Sequence, residues 1–206
     1  TAEISALLGK GFAPLCRTAQ EYAAWHAVAK GIDHPLLAHF RAGGIRNEEK
    51  EVEYIPVQMI LSPIADYPYR ALPDGYTIRG AQNRDADGDA WARVICASGL
   101  IDKFSDARST FDRDLPGDVD VISERCLFVC APDGTIIGTT SGWMYHDDIL
   151  NHEVGLIHWV GIDRAYHGHG LGKPLMAAAL DVLAAYHDVA LLNTQTTRQK
   201  AIPMYL

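Results

Sequence analysis

The sequence predicts a mixed α/β fold with both an antiparallel hairpin and a parallel strand pair, and three stretches predict it. The first spans residues 155–186. An apolar run from Leu156 to Ile162 has the length of a buried strand, three alternating glycines follow, and an Ala/Leu-rich helical pattern begins at Pro174. The second is Pro132-Asp133-Gly134, a tight turn between the runs 126–130 and 135–145, which therefore pair antiparallel. The third is Ala190-Leu191-Leu192-Asn193-Thr194, a strand that completes a strand–helix–strand unit with the first stretch. A unit of that length closes as a right-handed parallel crossover.

Taken in order, residues 1–30 open with a short apolar segment, break at Gly9-Lys10-Gly11, and run extended from Phe12 to Cys16. A helix is expected over 18–30, with Thr18 as N-cap, Tyr22, Trp25, Val28 and Ala29 as its apolar stripe, and Gly31 as its stop. A shorter helix is expected over 35–41, and residues 46–53 read as a charged linker. Residues 54–61 read as a strand that Pro56 makes an edge strand or an irregular one. Three prolines make 63–74 a connection, and 75–79 alternates like a strand.

An Asp-rich cap at 85–89 starts a helix whose buried face is Trp91, Val94, Ile95 and Ser98. Residues 99–121 are polar and acidic and are read with at most one short helix. Residues 146–153 read as a polar loop, and a last helical pattern starts near Thr197.

Composition sets bounds on the whole. The chain has 206 residues, enough for one ordinary domain with an appendage or for two small ones, and 48% of them are hydrophobic, enough for a real core. A net charge of −8 argues against nucleic-acid and anionic-membrane partners. No apolar run is long enough to span a membrane and no signal-peptide pattern opens the residues given, so a cytoplasmic location is expected. Thr1 in place of an initiator Met implies a natural start further upstream. Cys16, Cys96, Cys126 and Cys130 form no CxxC pair and read as reduced thiols. Nine histidines include the pair His167 and His169, but no metal-ligand spacing appears, so no metal site is expected.

The glycine stretch has the makings of a phosphate cradle, because amides at a helix start point outward, the helix dipole favours an anion and missing Cβ atoms allow close approach. Two nucleotide motifs fail on it. A dinucleotide fingerprint from Gly168 needs glycine at 173, where Lys173 stands. A P-loop ending at Gly172-Lys173 needs glycine at 167 and Ser or Thr at 174, where His167 and Pro174 stand.

The segment His167-Gly168-His169-Gly170-Leu171-Gly172 resembles the acyl-CoA motif Arg/Gln-x-x-Gly-x-Gly/Ala of the GNAT acetyltransferase superfamily, with His167 in the Arg/Gln place. The opening 72–79, the Pro-Asp-Gly hairpin and the final Arg198-Gln199-Lys200-Ala201-Ile202-Pro203-Met204-Tyr205 resemble further family segments, the last with Arg198 in the place of an Asn. The resemblance covers residues 76–206. It implies a mostly antiparallel sheet with a parallel, splayed strand pair flanked by helices.

It divides the chain into an acyl-CoA-binding domain over 71–206 and an N-terminal extension over 1–70. It also implies acetyl-CoA as co-substrate, a small-molecule or peptide amine as acceptor, and N-acetyl transfer by direct attack in a ternary complex. Val160, Gly161 and Ile162 would offer backbone to the acyl carbonyl. His167, Gly168, His169, Gly170, Leu171, Gly172 and Lys173 would hold the pyrophosphate. Asn193 and Thr194 would line the pantetheine, and Tyr205 would be the general acid.

The base stays open between His158, whose imidazole titrates at about 6.5 when unperturbed, and Glu153 acting through water. Asp112, Asp114, Asp118 and Asp120 read either as a solvated acidic loop or as groups favouring a cationic amine. An acyl-CoA sensor without turnover and a nucleotide-binding module are the competing readings. The family's Leu-Gly-Phe strand after its tyrosine finds a match in Leu8-Gly9-Lys10-Gly11-Phe12. That match suggests a tandem, permuted or subunit-exchanged arrangement, a homodimer included, in which residues 12–16 lie beside the edge of the last strand.

Overall fold

A computed structural model of the chain describes residues 11–14, 56–68, 70–147, 152–195, 198 and 201–205. The helices read over 18–30 and 35–41, the linker at 46–53 and Cys16 lie outside the described residues. In chain order the elements are β1 (Ala13–Pro14), β2 (Pro56–Leu61), β3 (Thr77–Gly80), α1 (Arg84–Ser98), α2 (Phe104–Asp114), α3 (Val119–Arg125), β4 (Cys126–Cys130), β5 (Ile136–Asp147), β6 (His152–Ile162), α4 (Gly172–Ala184), β7 (Ala190–Gln195) and α5 (Ile202–Tyr205). They form two compact units, one of residues 68–188 and one joining residues 1–67 to 189–206. The tail after 188 therefore groups with the N-terminal residues.

Within 68–188 the sheet runs β3-β4-β5-β6, each neighbour antiparallel. Residues 99–121, read with at most one short helix, carry α2 of 11 residues and the start of the seven-residue α3. The difference has a physical reason. Ala107, Phe111 and Leu115 recur every fourth residue and are fully buried, a stripe that holds α2 to the core although most of the residues between are charged. Asp118 caps α3 by accepting from the amides of Asp120 and Val121.

Helix α1 is capped at both ends, by the Asn83 side chain accepting from Ala86 N and by Gly99 at φ 75°. Trp91, Ala92 and Ile95 from α1, Ala107 and Phe111 from α2, Ile122 from α3 and Phe128 from β4 form one core cluster. Gly88 lets α2 lie close on α1, since a Cβ there would stand 3.0 Å from the Phe111 ring.

In the other unit β2 pairs antiparallel with β7, from Pro56 opposite Gln195 to Leu61 opposite Ala190. Segment β1 pairs with the outer side of β2. Strand β2 is thus flanked on both sides over Met59 and Ile60, and Pro56 sits at its first position, where a sheet tolerates proline. It is β2 that lies on β7, with Ala13 and Pro14 one strand further out. Val57, Met59 and Leu61 alternate inward, and Ala190, Leu191 and Leu192 are all buried. Each such Leu or Met contributes about 1.5–3 kcal/mol relative to exposure. Phe12 is fully buried, its ring meeting that of Tyr205 edge-on at 6.4 Å, and its amide donates to the Tyr205 carbonyl.

Candidate functional site

Strand β6 delivers the chain to the glycine loop. Asp163 N donates to Ile137 O, and the Asp163 carboxylate accepts from Ala165 N to open a short 3-10 turn at Arg164–Tyr166. Gly168 and Gly170 follow at φ 85° and 76°, conformations that glycine alone takes without strain. Leu171, 2% exposed, plugs the loop into a core cluster with Val129, Ala131, Ile137 and Leu175. Helix α4 then begins at Gly172 with no capping side chain.

The amides of His167 and His169 donate to Arg164 O and Tyr166 O, whereas those of Gly168, Gly170, Leu171, Gly172 and Lys173 have no backbone acceptor among the described residues. A Cβ on Gly168 would meet no atom within 4 Å, and one on Gly170 only Pro73 Cγ at 3.9 Å, so the space above the loop is open. Lys173, exposed in the first helical turn, adds a positive charge. Amides, dipole and lysine together fit a pyrophosphate.

The two loop histidines are turned to the chain itself. His167 Nε2 donates to the Ile162 carbonyl at 3.1 Å, which fixes its tautomer. His169 Nδ1 bonds the Tyr76 hydroxyl at 2.7 Å, and its ring stands edge-on to Tyr76 and Tyr166.

The end of β6 before the loop is irregular. Thr139 faces Gly161 and Ser141 faces His158, so Trp159 and Val160 together oppose Thr140 alone. This is a β-bulge, which breaks the ladder locally and re-aims the residues around it. Trp159 takes φ 54°, and among the described residues no other non-glycine has positive φ. A bulky residue there carries strain of about 1–3 kcal/mol. Its indole Nε1 donates to Asp114 Oδ2 at 3.1 Å, and its ring meets that of Trp91 edge-on at 5.4 Å. Val160 and Ile162 are half-buried and Gly161 is buried.

His158 is half-buried. Burial pushes its imidazole below the ordinary value, against an opposing pull from Asp114, so the ring is neutral at pH 7. Its Nδ1 has no hydrogen-bond partner among the described residues, nor does the buried Thr140 Oγ1 opposite the bulge. Glu153 is exposed near the start of β6, paired across from His146. Five residues of strand put it about 17 Å from His158. The two candidate bases do not share one site.

Asn193, Thr194 and Tyr205 belong to the other unit. Asn193 Oδ1 accepts from Gln58 Nε2 at 3.0 Å. Tyr205 is 7% exposed, and burial pushes its phenol up to about 12. Of the acidic residues, Asp112 pairs with Arg108 at 2.6 Å and Arg84 at 3.4 Å, Asp118 is a helix cap, and Asp114 binds Arg113 and Trp159. Among the described residues no His/Cys/Asp/Glu group could hold a metal ion, and no helix is long and apolar enough to cross a membrane.

Comparison with known proteins decides the family. The model of the acetyltransferase (GNAT) family matches residues 98–206, more than half of the chain. The chain belongs to the GNAT acetyltransferase family. The co-substrate of GNAT acetyltransferases is acetyl-CoA.

A mycothiol acetyltransferase of Salinispora tropica is 29% identical over 154 residues, which are 71% of this chain and 47% of the relative. The chain thus spans about half the length of the curated relative it matches. Among solved structures, a GCN5-related N-acetyltransferase of Sphaerobacter thermophilus aligns at TM-score 0.53 and 22% identity, over 69% of this chain and 44% of that one. A Pyrococcus horikoshii protein aligns at 0.55 and 20% identity, over 63% of this chain and 85% of that one. A tandem GNAT protein from the clavulanic acid biosynthesis pathway aligns at 0.50 and 16% identity, over 91% of this chain and 65% of that one. At such identities the GNAT structures share the fold, a mixed α/β sheet flanked by helices.

Trp159 carries no expected role in the sequence reading, and Asp114 only the one shared with its acidic neighbours, a solvated loop or a group favouring a cationic amine. A signal for helix α2 existed in the Ala107, Phe111, Leu115 spacing. No sequence signal marks Trp159 as the bulge residue.

Proposed function

We propose that this chain moves an acetyl group from acetyl-CoA to a primary amine by direct attack in a ternary complex. The observation that carries the reading is the open glycine cradle at the uncapped start of α4. Similarity to a mycothiol acetyltransferase supports acetyl as the group moved. Bound acetyl-CoA supplies the thioester, whose C–S bond breaks as the neutral amine nitrogen forms its C–N bond and whose sulfur leaves as a thiolate that takes up the surplus proton the acylated nitrogen sheds.

The chain's own residues supply the remainder. The amides of Gly168, Gly170 and the first turn of α4 bind the pyrophosphate. The bulged backbone at Val160–Ile162 orients the acyl carbonyl. A base takes the ammonium proton. His158 is suited to this, being neutral at pH 7 with a buried Nδ1 that has no hydrogen-bond partner among the described residues, and Glu153 through water is the other candidate. Tyr205 stays protonated at any physiological pH, so it can donate a hydrogen bond to a thiolate. A phenol near 12 is a weaker acid than a thiol at about 8.5, so the bond rather than full proton transfer is its contribution. Burial pushes the Cys126 thiol up to about 12, which disfavours an acyl-cysteine route.

Calorimetric binding of coenzyme A to two variants tests the cradle. Gly170→Val and Gly134→Val impose the same left-handed strain, since Gly134 has φ 86° in the hairpin turn with no atom near its Cβ. Losing two charge-assisted amide bonds weakens binding by roughly 100-fold or more, so that is expected of Gly170→Val. Gly134→Val is expected to bind like the wild type. Equal affinity in a folded Gly170→Val would overturn the site.

A further inference from the structure

We infer that Asp114 is a positioning residue for acetyl transfer, holding the β6 bulge in register through the indole N–H of Trp159. The inference rests on the reading above, in which the backbone after the bulge orients the acyl carbonyl. Asp114 is the last residue of α2, where a carboxylate opposes the helix dipole. Helix stability therefore does not account for it.

Both carboxylate oxygens are engaged. Oδ1 accepts from Arg113 Nε at 2.6 Å, and Oδ2 accepts from Arg113 Nη2 and Trp159 Nε1, each at 3.1 Å. The side chain is only 18% exposed. With its charge matched by Arg113 and both oxygens already engaged, Asp114 is poorly disposed to read a cationic amine. Its distinctive contact is the indole.

That indole belongs to the strained residue of the bulge. Positive φ at Trp159 persists only if its surroundings over-determine it. Three contacts do so: Trp91 of α1 edge-on at 5.4 Å, the His158 ring at 5.3 Å, and the bond to Asp114. The first two are ring contacts that tolerate sliding, whereas a hydrogen bond fixes direction. Releasing the indole frees the bulge to relax toward a regular ladder. Relaxation by one residue would turn Val160 and its neighbours to the opposite face.

A double-mutant cycle with Asp114→Ala, Asp114→Asn and Trp159→Phe tests the role. Turnover of a fixed amine, calorimetric affinity for coenzyme A, and the indole N–H resonance of Trp159 are the readouts. Displacement of reacting groups by about 1 Å lowers rates on the order of 100-fold, so Asp114→Ala and Trp159→Phe are each expected to lower kcat by roughly 10- to 100-fold with coenzyme A affinity unchanged. Asp114→Asn, which keeps an oxygen acceptor, is expected to stay within a few-fold of the wild type and to retain the indole shift. The double variant is expected to be no worse than the worse single one.

Additive losses, unchanged kcat in a folded Asp114→Ala, or an Asp114→Asn as impaired as Asp114→Ala would each overturn the role. If Asp114→Ala does not fold, Asp114→Asn and Trp159→Phe decide. A wild type that binds coenzyme A but acetylates no amine would sink the acetyltransferase reading itself, with the indole shift still present. An inactive Trp159→Phe beside a fully active Asp114→Ala would sink only this one.

Discussion

Asp87→Ala is the substitution whose consequence can be worked most fully. Asp87 lies in the first turn of α1, 4% exposed, and its carboxylate accepts from Arg79 Nη2 at 2.6 Å, Arg79 Nη1 at 3.2 Å, Gln82 N at 2.6 Å and Asn83 N at 3.0 Å. It thereby ties β3 to the start of α1. Removing it strands two backbone donors, at about 1–3 kcal/mol each. Arg79 is less affected, because its side chain is 28% exposed and keeps its bond to Gly80 O and its place over the Phe128 ring. The expected loss is about 3–5 kcal/mol, in the range for breaking a buried ion pair from one side.

Denaturant unfolding followed by tryptophan fluorescence reads this loss well, since Trp91, Trp143 and Trp159 all lie in the 68–188 unit. Acid supplies a second signature. Burial alone would raise the Asp87 carboxyl, but the bonds from Arg79, Gln82 and Asn83 together outweigh it and hold the carboxyl below its ordinary 3.8. A carboxyl depressed by folding contributes stability above its unfolded value and loses it as pH falls through the folded one. The gap between wild type and Asp87→Ala is therefore constant from neutral pH to about pH 5 and narrows below about pH 4. A loss under about 1 kcal/mol, or a gap that persists undiminished to pH 2, would refute the reasoning.

Two further outcomes concern the chemistry. Tyr205→Phe is expected to lower kcat more than it raises KM for acetyl-CoA, with initial-rate patterns of a ternary complex; ping-pong kinetics or a trapped acyl-cysteine would show the mechanism to be wrong. If His158 is the base, kcat/KM rises with pH along a limb whose midpoint lies below the ordinary 6.5, because burial depresses the imidazole, and His158→Ala abolishes that limb. A limb unchanged in His158→Ala would point to Glu153.

The glycine loop between strand and helix was legible because everything it needs is local: an apolar strand, three glycines and a helix in one stretch of sequence. Helix α2 was hidden by its own charge. Its stripe is only Ala107 and Phe111 until Leu115 is counted, and the acidic residues around it read as loop. The bulge could not be read at all. Tryptophan has no preference for positive φ, and what holds Trp159 there, Asp114 and Trp91, stands 45 and 68 positions earlier in the chain. Strand β2 was recognised as a strand, but its partner was not, since nothing near Pro56 in sequence announces β7.

The pairing of β2 with β7 has a consequence for synthesis. Leu61 and Ala190 face each other across about 130 residues of intervening chain, most of which form the contiguous unit of 68–188. At roughly 5–20 residues per second a ribosome needs some 6–26 seconds to make that stretch. Throughout that interval Val57, Met59 and Leu61 exist without the strand they pair with. A chain halted before residue 190 therefore carries an apolar strand whose hydrogen-bonding edge has no β7 to meet, while the glycine cradle, whose residues end at 173, has already been made.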